Sequence, residues 1–113
     1  MSFLVSGQPT TIYSQLTANT ATTLYTATKR TTVVSMAFTE TNGGTQTLSI
    51  FVTSGGTDYY IRKALAVTAK QRVLIDEVIA LPPQAILKAT SGDASGYFDV
   101  MITYLAPDAL ANR

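Results

Sequence analysis

"TTVVSMAFTETNGGTQTLSIFV", residues 31–52, carries the pattern from which the fold can be read. Over 31 to 40, Thr32, Val34, Met36 and Phe38 fall on one face, with Thr31, Ser35, Ala37 and Thr39 opposite. Over 46 to 53, Leu48, Ile50 and Val52 share a face against Thr47, Ser49 and Thr53. A repeat of two describes extended strands with one buried face, because successive side chains point to opposite sides of a sheet. Asn42-Gly43-Gly44, between the two runs, reads as a hairpin turn, since Asn and Gly tolerate the positive φ that tight hairpins need.

Working outward, residues 97 to 105 repeat the pattern, with Phe98, Val100, Ile102 and Tyr104 against Tyr97, Asp99, Met101 and Thr103. Stretches 20 to 27, 58 to 67, 72 to 80 and 85 to 90 alternate more weakly. Turn signals separate them: "ATKR" (27–30), "SGGT" (54–57), "TAKQ" (68–71), "PPQ" (82–84) and "SGDASG" (91–96). Their spacing is near the roughly 8–12 residues of an all-β domain built from short strands. "DEVIAL" is too short for a helix and stops at Pro82-Pro83, which cannot continue one. The expectation is an all-β antiparallel β-sandwich, jelly-roll-like or immunoglobulin-like. It has seven strands, or eight if "TTIYSQL" (10–16) also pairs. Val34, Met36, Phe38, Leu48, Ile50, Val52, Phe98, Val100 and Ile102 form its predicted core. Residues 1–19 read as an N-terminal arm, 20–105 as the sandwich domain and 106–113 as a C-terminal tail.

Composition narrows the function. The 113 residues fit one domain, and 13% charged residues is about half the usual share. A net charge of +1 argues against capture of nucleic acid or an anionic membrane, which need clustered positive charge. No apolar run approaches the roughly 20 residues that span a bilayer. "MSFLVSGQ" lacks the basic start and the apolar length of a signal peptide, so the chain is expected to stay in a cytoplasm until assembled.

Histidine and cysteine are both absent. That removes the commonest general base, the commonest metal ligand, thiolate chemistry and any disulfide framework. Asp76-Glu77 is the only adjacent carboxylate pair, and on a strand its members point to opposite faces. "SGDASG" has one carboxylate where a calcium loop needs several oxygen ligands. "SGGT" and "NGG" lack the context of a phosphate loop and read as hairpins. No enzyme activity, cofactor or metal site is expected. The candidate surfaces are for contact. "DYYIRKAL" (58–65) interleaves aromatic and basic residues and would set Tyr60 and Arg62 on one face. The arm carries Phe3, Leu4, Ile12 and Tyr13, too few apolar groups for a core of their own.

The segment 22–52 resembles the opening of small β-sandwich accessory virion proteins of tailed bacteriophages. It shows their "TLYT" strand, a short turn with a basic residue, a "VxSxxxTxTN" strand and a "TxxxxV" strand, in that order. "YYIRKALAVTAKQRVLIDEVIALPPQAILKATS" (59–91) and "GYFDVMITYL" (96–105) continue the likeness, which covers most of 20 to 105. The chain departs from it at "PPQAIL" (82–87), where a glycine-aspartate turn is usual. The resemblance implies a structural virion protein, foremost a capsid decoration (cement) protein that binds the lattice as an oligomer, with a trimer favoured. A tail or tail-fibre component is the alternative. Its partner would be the major capsid protein or another virion protein, and its location the virion. A carbohydrate-binding β-sandwich module is the second alternative.

Overall fold

The structure is a computed structural model and describes residues 8–17, 20–92 and 97–106. Among these residues the chain forms nine strands: β1 (Thr10–Leu16), β2 (Thr22–Thr26), β3 (Thr31–Glu40), β4 (Gln46–Ser54), β5 (Thr57–Val67), β6 (Arg72–Ile75), β7 (Ile79–Leu81), β8 (Ile86–Ser91) and β9 (Phe98–Leu105). All pairings are antiparallel. One sheet has the order β1-β9-β3-β6, with β7 also paired to β3; the other has β2-β8-β4-β5. These are called the first and second sheet.

Passing from β1 to β2, β2 to β3, β3 to β4, β5 to β6, β7 to β8 and β8 to β9, the chain changes sheet each time. The hairpin β4–β5 stays within one sheet. This repeated crossing is the jelly-roll plan of a β-sandwich, and it separates the fold from the immunoglobulin arrangement.

The crossing corrects the reading of Asn42-Gly43-Gly44. β3 and β4 lie in different sheets, so the turn is a corner between sheets, not a hairpin. Its geometry is set by Glu40. The buried Glu40 carboxylate accepts hydrogen bonds from the backbone N–H groups of Asn42 (3.0 Å), Gly43 (2.9 Å) and Lys70 (2.9 Å). Gly43 sits at φ +97°, where an L side chain is strained. The true hairpin is at Gly55-Gly56, both at positive φ, joining β4 directly to β5.

The core lies between the sheets. Met36, Phe38, Leu48, Ile50, Phe98, Val100 and Ile102 are all buried in it, as the alternation predicts. Val34 is not, and Val33 takes its place. A register shift between Val33 and Ser35 inserts an extra residue opposite β9, and a bulge of one residue moves every side chain beyond it to the other face. Val52 is half-buried against the core. The stretch 72 to 80, read as one strand, is two, because Asp76, Glu77 and Val78 leave the ladder between β6 and β7.

Residues 10–16, placed in the arm with their pairing left open, form an edge strand of the first sheet. Leu16 is buried in the core and Ile12 packs against it, paired with Ile102.

Candidate interaction surface

Of the described contact residues that the sequence singles out, Ile12 packs against the core, and the other three lie on two surfaces. At the free edge of the second sheet, β5 is irregular: its pairing with β4 shifts between Leu48 and Ile50 and again between Ile50 and Phe51. Tyr60 therefore lies beside Phe51, whereas Arg62 lies beside Ile50. Ile50 points into the core and Phe51 away from it, so Tyr60 and Arg62 do not share a face. The extra residue is Ile61, which packs against the core.

The two side chains then do different things. The Tyr60 ring tilts over Phe51 at a centroid distance of 5.0 Å, and Lys63 Nζ stands 4.8 Å from the Tyr60 centroid. Arg62 reaches from the second sheet to the β6–β7 link of the first, donating to both carboxylate oxygens of Glu77 at 2.7 and 3.3 Å. The hydrogen bond from Arg62, aided by its positive charge, holds the Glu77 carboxyl below its ordinary range even though burial pushes it upward. At Ala64 the chain turns to φ +53° and its N–H donates to Ser49 Oγ at 2.9 Å. A bulged edge with charged side chains is a poor template for another strand. Tyr60 and Arg62 are therefore parts of the chain's own edge, not a paired aromatic-basic platform.

The second surface is the outer face of the first sheet. Register places Tyr13 beside Met101, Met101 beside Ala37, and Ala37 beside Leu74. Parity puts all four on the side away from the core. Tyr13 is 73% exposed, Met101 42% and Leu74 53%, while Ala37 between them is 5% exposed. An apolar stripe thus crosses four strands. On one side lie Thr11, Thr103 and Ser35, with the Thr11 and Thr103 hydroxyls 2.9 Å apart. On the other side lie Gln15, Asp99, Thr39 and Arg72, with Gln15 Nε2 donating to Asp99 Oδ1 at 2.9 Å. Beside Tyr13 a shallow groove opens between Gln15, Asp99 and Met101. An apolar patch with a polar border is the usual form of a protein contact surface.

Phe3 and Leu4 lie outside the described residues. Tyr13 is the one member of the predicted contact set in the stripe. Sequence reasoning missed Met101, Ala37 and Leu74, because each is an unremarkable outward residue of its own strand. It also missed Glu40, for which the signal was a carboxylate two residues before Asn-Gly-Gly. Burial tends to raise the Glu40 carboxyl, but hydrogen bonds from the backbones of Lys70, Gly43, Asn42 and Gly44 outweigh it and hold it below its ordinary range. The three bonds from Asn42, Gly43 and Lys70 make it a clamp for a corner. Among the described residues no group of three or more acidic, histidine or cysteine side chains is placed to hold a metal.

No known protein family and no curated protein sequence matches the chain. Solved structures do. A subunit of Bacillus endospore appendages, described as a family of disulfide-linked pili, superposes with a TM-score of 0.52 at 16% identity, covering 95% of this chain and 96% of that one. A chain of the T13 particle of infectious bursal disease virus gives a TM-score of 0.57 at 13% identity, covering 90% of this chain and 32% of that one. A chain of the same virus, Gx strain, gives 0.52 at 13% identity over 94% of this chain and 32% of that one. This chain spans about a third of the length of the viral chains. At these identities the likeness establishes the jelly-roll sandwich and nothing finer.

Proposed function

We propose that this chain is a structural, self-assembling β-sandwich subunit that works as a repeated part of an ordered particle, and in its finer form decorates the capsid of a tailed bacteriophage. The observation that carries the reading is the apolar stripe Tyr13–Met101–Ala37–Leu74, laid across a rigid sheet and left uncovered by the rest of the described chain. The sandwich fixes the backbone beneath those side chains, so burial of the patch has only side-chain rotamers left to order. The fold shared with a virus particle and a pilus subunit supports the same reading, as does the resemblance to phage accessory proteins. Many copies on a lattice would turn weak contacts into firm attachment.

The mutual coverage with the pilus subunit favours a second reading, a fibre built from this chain. Disulfide linkage as named for those pili is closed to these 113 residues, which contain no cysteine. Such a fibre would have to be held by noncovalent contacts.

The test is to incubate the purified chain with phage particles stripped of accessory proteins, and separately alone at high concentration, with electron microscopy of both. Saturable occupancy of symmetry-related sites supports decoration. Fibres formed by the chain alone support the second reading. A chain that neither binds particles nor assembles overturns both.

A further inference from the structure

We infer that the outer face of the first sheet is a contact between two copies of this chain, related by a twofold axis in the plane of the face and parallel to its strands. The inference rests on the assembly reading for its purpose and deepens it by naming the occupant of the stripe. A twofold contact must match a surface to itself, residue i meeting j and j meeting i. Rotation about that axis keeps each row opposite itself and reverses its order.

The apolar row, read from the edge strand inward, is Tyr13, Met101, Ala37, Leu74. Reversed, it sets Met101 of one copy over Ala37 of the other, a long flexible side chain into the low point of the stripe. Tyr13 then covers Leu74, the two ends that stand most exposed. Large meets small, as interdigitating faces require.

The polar row is Gln15, Asp99, Thr39, Arg72. Reversed, it sets Arg72 over Gln15, with Asp99 one strand away. Acid and base therefore approach in both halves of the contact. The remaining row, Thr11, Thr103 and Ser35, is neutral and offers hydroxyls to itself. An axis perpendicular to the strands would set Tyr13 on Tyr13 and oppose the charged row to the threonine row, and so loses both matches. The chosen axis also leaves the strands of the two faces aligned, the common way for sheets to pack face to face.

Size fixes the strength. Four strands spaced ~4.8 Å apart and three rows ~6.8 Å apart cover about 400 Å² per copy, half of the roughly 800 Å² per partner in stable complexes. The pair is therefore weak in solution, with a dissociation constant on the order of 100 μM or higher, and becomes firm only when other contacts hold the copies together.

Sedimentation equilibrium of the purified chain up to about 1 mM tests it, with circular dichroism and melting temperature checking the fold of every variant. The wild type is expected to show a monomer–dimer equilibrium. Asp99→Arg and Arg72→Asp should each weaken it about tenfold or more, and the double variant should return it to near the wild-type value. Leu74→Lys, at a half-exposed position that does not threaten the fold, should leave a monomer. A wild-type monomer throughout the range, or single reversals with no effect, or a double variant that fails to restore pairing, overturns the inference. Single reversals that weaken binding to a particle while the free wild-type chain stays monomeric assign the face to a different protein, and also overturn it. Particle occupancy or fibre formation unaffected by any of these variants removes the face and keeps the assembly reading.

Discussion

The outer faces of the two sheets treat the same problem differently. Each carries a row with large apolar groups pointing away from the core. In the second sheet the row is Thr23, Lys88, Phe51 and Tyr60, and Phe51 is only 5% exposed because Tyr60 leans over it. In the first sheet the row is Tyr13, Met101, Ala37 and Leu74, and three of its four side chains stand in solvent. One face resolves its apolar surface within the chain, with a bulge in β5 bringing the covering ring into place. The other has the same raw material and no cover among the described residues. On the reading proposed above, a second copy supplies that cover.

The comparison can be broken at several points. Ile50→Ala, inside the core between the two faces, sets the scale and should cost on the order of 2–5 kcal/mol in urea unfolding, the range for large-to-small core changes. A loss under half a kcal/mol would mean that the core is misassigned. Phe51→Ala should cost about 2 kcal/mol, below the roughly 3–5 of a full-core phenylalanine, since Phe51 is buried under Tyr60 on the outer face and lies outside the core cluster. If it costs nothing, the second sheet's outer face is no more closed than the first's.

Smaller still is the contribution of Glu40, which belongs to neither face and fixes the corner between them. Its carboxyl is held below the ordinary range in the folded chain. The ionised form therefore adds stability that is complete above the unfolded glutamate pKa of about 4.3 and fades as pH falls through the lowered folded value. Melting curves of wild type and Glu40→Gln should differ by a constant amount at neutral pH and converge on acidification below that range. Parallel curves down to pH 2 would remove the clamp from the account. The smallest effect belongs to the open face: Met101→Ala in dilute solution should change stability by no more than about 0.5 kcal/mol, as expected of a half-exposed side chain. A loss comparable to that of Phe51→Ala would show that Met101 is already engaged within its own chain.

Much of this could be read from the chain. The strand 31–40 is found with its predicted bounds, and 46–53 and 97–105 to within a residue, because a period of two runs through most of each. Val34 failed for a local reason, since a bulge depends on what β9 presents opposite and leaves no mark in β3 itself. The same holds for Tyr60 and Arg62, which the register shift between Ile50 and Phe51 sends to different faces. The Asn-Gly-Gly corner failed because the residues of a hairpin turn also suit a carboxylate clamp. Only the buried Glu40 distinguishes the two. The stripe was illegible for a different reason. Residues 13, 37, 74 and 101 become neighbours only after β1, β9, β3 and β6 have paired, and no window of sequence contains that order.

The pairing of β1 with β9 has a consequence in time. Thr11 and Thr103, whose hydroxyls touch, are 92 positions apart, whereas β4 and β5 meet across Gly55-Gly56. Closing a long loop costs more entropy than closing a short one, and pairings between distant segments form slowly. The β4–β5 hairpin is therefore expected to gain protection early in refolding and β1 to seat last, an order that pulsed hydrogen exchange would reveal and that simultaneous protection would disprove. Until β1 arrives, the edge of β9 stands open to any strand that finds it first. At high concentration a neighbour's β1 would compete for that edge, so slower seating of β1 should raise the yield of strand-exchanged dimers on refolding.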